Sequence, residues 1–173
     1  SWDEPYLKTR YFIDNVEIDK TSCCAIDAII AVVIDSLNLE AWKSPFNGDN
    51  ANHSFGQIND VPCSCYARPR ADNYFIFYST PSDDGLRTNL ANMLNNSVPY
   101  GNYVLIYSFR KSNNANWGDN LYEAFESLGA DSNQIENNFP NNYPFIFFSQ
   151  KGHPEKQRLV IGSYPTEILQ FDT

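Results

Sequence analysis

The sequence predicts an α+β domain in which helices pack on a sheet. Three observations carry that expectation. The run Ala28 to Ile34 (AIIAVVI) is apolar, rich in β-branched residues and has no polar face, as in a strand covered on both sides. Two stretches repeat apolar residues at helical spacing: Leu86, Leu90, Met93 and Leu94, then Trp117, Leu121, Phe125 and Leu128. From residue 73 onward, strand and helix patterns alternate.

Taken in order, Arg10 to Ile18 (RYFIDNVEI) alternates loosely and predicts a first strand. Ala28 to Ile34 is the central strand. Asp35-Ser36-Leu37-Asn38 forms a turn, and Lys43 to Asp60 is dominated by loop residues. Asn73 to Thr80 is a strand. Ser82 is the expected N-cap of the first helix, with Asp83 and Asp84 favoured by the positive end of its dipole. Pro99 to Asn102 is a turn before a strand from Tyr103 to Phe109. Asn116 is expected to cap a second helix, Trp117 to Leu128, which Gly129 ends. Phe145 to Phe148 is a strand, Lys151 to Pro154 a turn, and Arg158 to Gly162 and Glu167 to Phe171 close the chain. The count is about seven strands and two helices, without linker or repeat, in one domain over 1–173 with a core of about 10–171.

Composition narrows the partners. With 12 Lys and Arg against 21 Asp and Glu, the net charge is −9, which repels phosphate backbones and anionic lipid. Nucleic acid is not expected. Membrane insertion is not expected either, because Ala28 to Ile34 is the longest wholly apolar run and a spanning helix needs about 20 residues. No export signal stands at the N-terminus, so the chain is expected to be mature or excised from a larger protein. Asn pairs recur at Asn95-Asn96, Asn113-Asn114, Asn137-Asn138 and Asn141-Asn142. Asn favours turns, so these mark polar loops, and such loops also suit a polyhydroxylated ligand. Asn52-His53-Ser54 and Asn95-Asn96-Ser97 fit the glycosylation acceptor pattern.

The four cysteines fall in two close pairs, Cys23-Cys24 and Cys63-Ser64-Cys65. A disulfide between the two segments is expected, which implies an oxidising compartment. Free buried thiols and a metal site are the alternatives, although adjacent cysteines and C-x-C chelate one tetrahedral ion awkwardly.

Catalytic motifs are scarce. The only histidines, His53 and His153, lie in loops, and no nucleophile elbow, zinc helix, P-loop or dinucleotide fingerprint is present. Asp27 and Asp35 flank the central strand, where turn capping explains them more simply than metal ligation. A triad of Cys63 or Cys65 with His53 and an Asn is conceivable only on paper. Lys151-Gly152 fits a hairpin turn as well as it fits a ligand contact. Trp117 could staple its helix to the core or offer its ring to a sugar.

The stretches "VPYGNYVLIYSF" (98–109), "WGDNLYEAFESLGA" (117–130) and "PFIFFSQKGHP" (144–154), in that order, resemble the interleukin-like EMT inducer domain. That family includes small secreted cytokine-like proteins and the stem domain of the O-mannose N-acetylglucosaminyltransferase. The stretch "AIIAVVIDSLNLEAW" (28–42) is similar to a bacterial branch embedded in large secreted Bacteroidetes proteins, beside gingipain-like peptidase or type IX secretion sortase-like sequences. The resemblance implies two β-sheets of about seven strands, mainly antiparallel, flanked by two or more helices. It implies no catalytic centre and no cofactor.

Pro99, Gly101, Lys151 and Gly152 match the family's turns, and Trp117, Asp119, Leu121 and Gly129 its helix. Two departures stand out. Asn141-Asn142-Tyr143 replaces an Arg-Asp pair, and Leu159 or Val160 replaces an acidic residue. Asparagine cannot reproduce a bidentate arginine, so the sugar specificity of the animal stem does not carry over. The expectation is a non-catalytic, carbohydrate-binding module of an exported, extracellular or cell-surface protein. Trp117, Asn116, Asp119, Tyr143 and Lys151 are its candidate ligand contacts. The alternative is a domain that docks to a parent peptidase, other domains of a larger chain or secretion machinery.

Overall fold

The computed structural model describes residues 8–22, 27–44 and 73–172, with His53, Phe55 and Gly56. All four cysteines, and with them the expected disulfide, lie outside the described residues. So do most of the loop expected over 43–60 and two positions, Asn52 and Ser54, of one glycosylation pattern.

The fold is α+β, built from two antiparallel sheets. The first is a hairpin of β1 (Lys8–Ile13) and β2 (Val16–Ser22). The second has five strands in the order β4-β3-β5-β6-β7: β3 (Ala28–Ile34), β4 (Phe75–Tyr78), β5 (Tyr103–Phe109), β6 (Phe145–Gln150) and β7 (His153–Ile161). Among the described residues it has two α-helices, α1 (Asp84–Asn92) and α2 (Asp119–Ser127), and α1 runs on into a π-helical turn, Met93–Ser97. No helix of the described residues is long and apolar enough to cross a membrane.

β3 is interior to the sheet, with β4 on one side and β5 on the other, and all seven of its residues are buried. Its alternate side chains feed two cores. Ile29, Ala31 and Val33 face the helices and meet Leu90, Met93, Leu94, Leu121, Phe125 and Leu128. Ala28, Ile30, Val32 and Ile34 belong to a second cluster, with Tyr78, Phe109 and the hairpin residue Tyr11. The hairpin is tied down where Tyr11 Oη donates to Asn73 O at 2.6 Å. The five-stranded sheet therefore lies between hairpin and helices, which is why AIIAVVI can lack a polar face.

Five local expectations are corrected. RYFIDNVEI is not one strand: Asp14 and Asn15 both adopt positive φ (50° and 64°), the geometry of a tight hairpin turn. The N-cap of α1 is Asp83, not Ser82, and that of α2 is Gly118, not Asn116. Glu167 to Phe171 forms no strand. The stripe of α1 also splits, since Leu86 packs half-buried with the hairpin-side cluster.

Candidate functional site

Antiparallel register decides which loops share an end of the sheet. Ala28 pairs with both Tyr78 and Phe109, Tyr107 with Ile146, and Phe145 with Ile161. The start of β3, the ends of β4 and β5 and the start of β6 are therefore neighbours. The β5–α2 loop and the segment before β6, which carry most of the asparagines after residue 110, meet at this end.

Asn114 is the hub. It is buried, its Oδ1 accepts Ser112 Oγ at 3.0 Å and Asn142 N at 3.1 Å, and its Nδ2 donates to Phe139 O at 2.8 Å. Its backbone carbonyl accepts Tyr122 Oη at 2.7 Å. Ala115 N donates to Asn141 Oδ1 at 3.2 Å, a further tie between the two loops. Asn113, left-handed at φ 47°, turns its amide toward Asp27 Oδ2 and Ser79 Oγ, both at 3.3 Å. Asp27 Oδ1 lies 3.7 Å from Arg110 Nε. Left-handed backbone is tolerated by asparagine because its short side chain bonds locally, so the composition and the loop geometry have one cause.

The hub leaves a polar surface. Asn116, Asp119 and Asn141 are exposed, while Asn142 and Tyr143 are half-buried. Asn142 Oδ1 is a buried acceptor with no hydrogen-bond donor among the described residues. Burial, reinforced by Glu136 and Asp119, raises the Tyr122 pKa, so its phenol stays neutral and donating.

Two expected contacts are placed elsewhere. Trp117 is only 5% exposed, and its indole Nε1 donates to Ser112 O at 3.0 Å. Phe125 stacks on it at 5.2 Å, and Phe139 and Phe145 meet it edge-on. An indole enclosed in this way offers no ring face to a sugar, which corrects the surface role considered for it. Trp117 precedes the N-cap of α2 and its ring lies 5.8 Å from that of Tyr122 in the helix's first turns, the pairing of a hydrophobic staple.

Lys151 lies at the other end of the sheet, where Tyr103 pairs with Gln150. Six residue steps along β5 separate the two ends by about 20 Å. Lys151 Nζ donates to Leu94 O at 2.7 Å, and burial lowers its pKa. The lysine ties the β6–β7 turn to the π-helical turn and does not join Asn116 and Tyr143. His153 pairs with the exposed Glu155 at 3.2 Å, and His53 stacks on Trp42 at 3.5 Å.

Sequence reasoning missed Asn114 and Asn142. The signal was there in part, since both stand in Asn pairs, but nothing in a single chain distinguishes the buried member of a pair from the exposed one. Comparison of the chain with family models, curated proteins and solved structures returns no match.

Proposed function

We propose that this chain is a non-catalytic binding module of an exported protein and that it recognises carbohydrate at the asparagine-rich end of its five-stranded sheet. The observation that carries the reading is the pairing of a fixed scaffold with exposed polar side chains. Asn114 fixes the loops through buried hydrogen bonds, and those loops present Asn116, Asp119 and Asn141 to solvent, with Tyr143 half-buried. Sugars present hydroxyls for these amides and the carboxylate, and an apolar edge for the Tyr143 ring. Preorganised loops lower the entropy lost on binding. The resemblance to the interleukin-like EMT inducer domain supports the same reading, together with placement in a larger secreted bacterial parent.

The test is a glycan array probed with the 173-residue chain, then with Asn141→Ala and Tyr143→Ala. Binding that both variants weaken at least tenfold, and that Lys151→Ala leaves unchanged, is the expected result. No binding to any sugar at millimolar concentration discards the proposal. Trp117→Ala is unsuitable as a probe, because emptying a buried aromatic site costs about 3–5 kcal/mol of stability and conflates folding with binding.

A further inference from the structure

The end of the sheet remote from the asparagine loops carries exposed apolar side chains on adjoining turns. Leu37 is 95% exposed, Tyr100 79% and Leu39 41%. Ser36 N donates to Asn102 Oδ1 at 3.3 Å, so the turn after β3 and the turn before β5 stand side by side. Tyr100 is held over Gly152, where an added Cβ would collide with its ring.

The turn that lifts Leu37 is rigidly built. Asp35 Oδ1 accepts Leu37 N at 2.8 Å and Asn38 N at 3.4 Å, and Asp35 N donates to Glu40 O at 2.9 Å. Leu39 N donates to Asp35 O at 3.0 Å, and Asn38 Oδ1 accepts Glu40 N at 2.9 Å. Leu39 sits at φ 58°, a left-handed conformation that costs a non-glycine residue roughly 1–2 kcal/mol. Backbone strain and a dense set of hydrogen bonds thus hold a fully exposed leucine away from the core beside it. An isolated surface leucine needs no explanation, but a strained, preorganised one flanked by a second leucine and a tyrosine does.

We propose that Leu37, with Leu39 and Tyr100, anchors a protein-docking surface whose partner offers an apolar pocket rimmed by lysine or arginine. Charge selects this occupant. The chain carries −9, and although Lys151 and Lys156 stand beside the Tyr100 turn, the turn that lifts Leu37 contributes Asp35 and the exposed Glu40, so a basic rim is complementary around Leu37. A second copy brings the same negative charge and is repelled at low salt, as are anionic lipid surfaces. The surface is separate from the proposed glycan site, being at the opposite end of the sheet, and stands or falls without it.

The experiment places a photo-crosslinking amino acid at position 37, and at the exposed position 166 as control, in the chain expressed in its source organism. The protein crosslinked from 37 is then purified and its Kd measured for the wild type, Leu37→Ser and Tyr100→Ser. The expected result is a partner crosslinked from 37 and not from 166, bound at least tenfold more weakly by Leu37→Ser, with affinity falling as salt rises. Leu37→Ser should melt at the wild-type temperature, since its side chain touches little. Crosslinking to a second copy, equal capture from both positions, a partner whose Kd ignores Leu37→Ser, or no adduct at all overturns the proposal.

Discussion

Asn114 shows how one side chain can hold two loops. Removing its amide leaves Phe139 O, Ser112 Oγ and Asn142 N without their partners, and each unmade buried bond costs about 1–3 kcal/mol. Asn114→Ala should therefore destabilise the chain by about 2–4 kcal/mol in urea unfolding, given partial relaxation, whereas Asn116→Ala at an exposed position should stay within about 0.5 kcal/mol. Equal effects would remove Asn114 from its central place. The sequence showed that these loops are asparagine-rich but not which asparagine is buried, because burial depends on contacts with residues 25 or more positions away.

His53 supplies a pH-dependent test at the same scale. Burial lowers its pKa from the ordinary value of about 6.5. The folded chain then takes up this proton at lower pH than the unfolded chain does. The contribution is present above pH of about 6.5 and is lost as pH falls through the folded value. Denaturant midpoints should fall between pH 7.5 and 5.5 more steeply in the wild type than in His53→Phe, which keeps an aromatic ring against Trp42. Identical slopes would show that the ring is solvated as freely in the fold as in the unfolded chain.

Elements with strong local punctuation were legible. β5 runs from Tyr103 to Phe109 as expected, set between the Gly101-Asn102 turn and Arg110, whose φ is positive. The end of α2 is equally plain: Gly129 N donates to Glu126 O at 2.8 Å and Ala130 N to Phe125 O at 3.0 Å, a Schellman arrangement with Gly129 at φ 98°. A Cβ at Gly129 would lie 2.4 Å from Pro154 O. Gly129→Ala should thus lower stability by more than about 1 kcal/mol, combining left-handed strain with a backbone clash. A melting temperature equal to the wild type's would contradict that packing.

Other elements depended on partners that one-dimensional patterns do not show. The hairpin turn at Asp14-Asn15 lacks the glycine that signals such turns most strongly, so two strands looked like one. Glu167 to Phe171 pairs with no strand among the described residues. Among the described residues β7 lies at an edge of the sheet, and it carries Pro154, Glu155, Lys156 and Arg158, residues that discourage a further strand from adding. The second π-helical turn, Asn133–Asn137, offers a single buried residue, Ile135, too little for a periodic signal.

At the scale of the molecule, the five-stranded sheet acts as a spacer. Its two apolar faces are taken up by the helices and the hairpin, and chemistry is left to its two ends. One end concentrates amides on rigid loops, and the other lifts a leucine and a tyrosine into solvent. The proposed functions follow that division: carbohydrate at the first end, a basic-rimmed protein at the second. The α+β architecture was expected from patterning, and the structure shows it. The separation of Lys151 from Asn116 and Tyr143 was not, because it follows from strand register, which spacing along the chain does not encode.

Backbone amide NMR during titration with the best oligosaccharide from the array tests the central claim most directly. The account predicts saturable shifts concentrated in residues 113–119 and 139–143, with Lys151 and Leu37 unmoved. Shifts centred on the remote turns, or none anywhere at millimolar sugar, would contradict it.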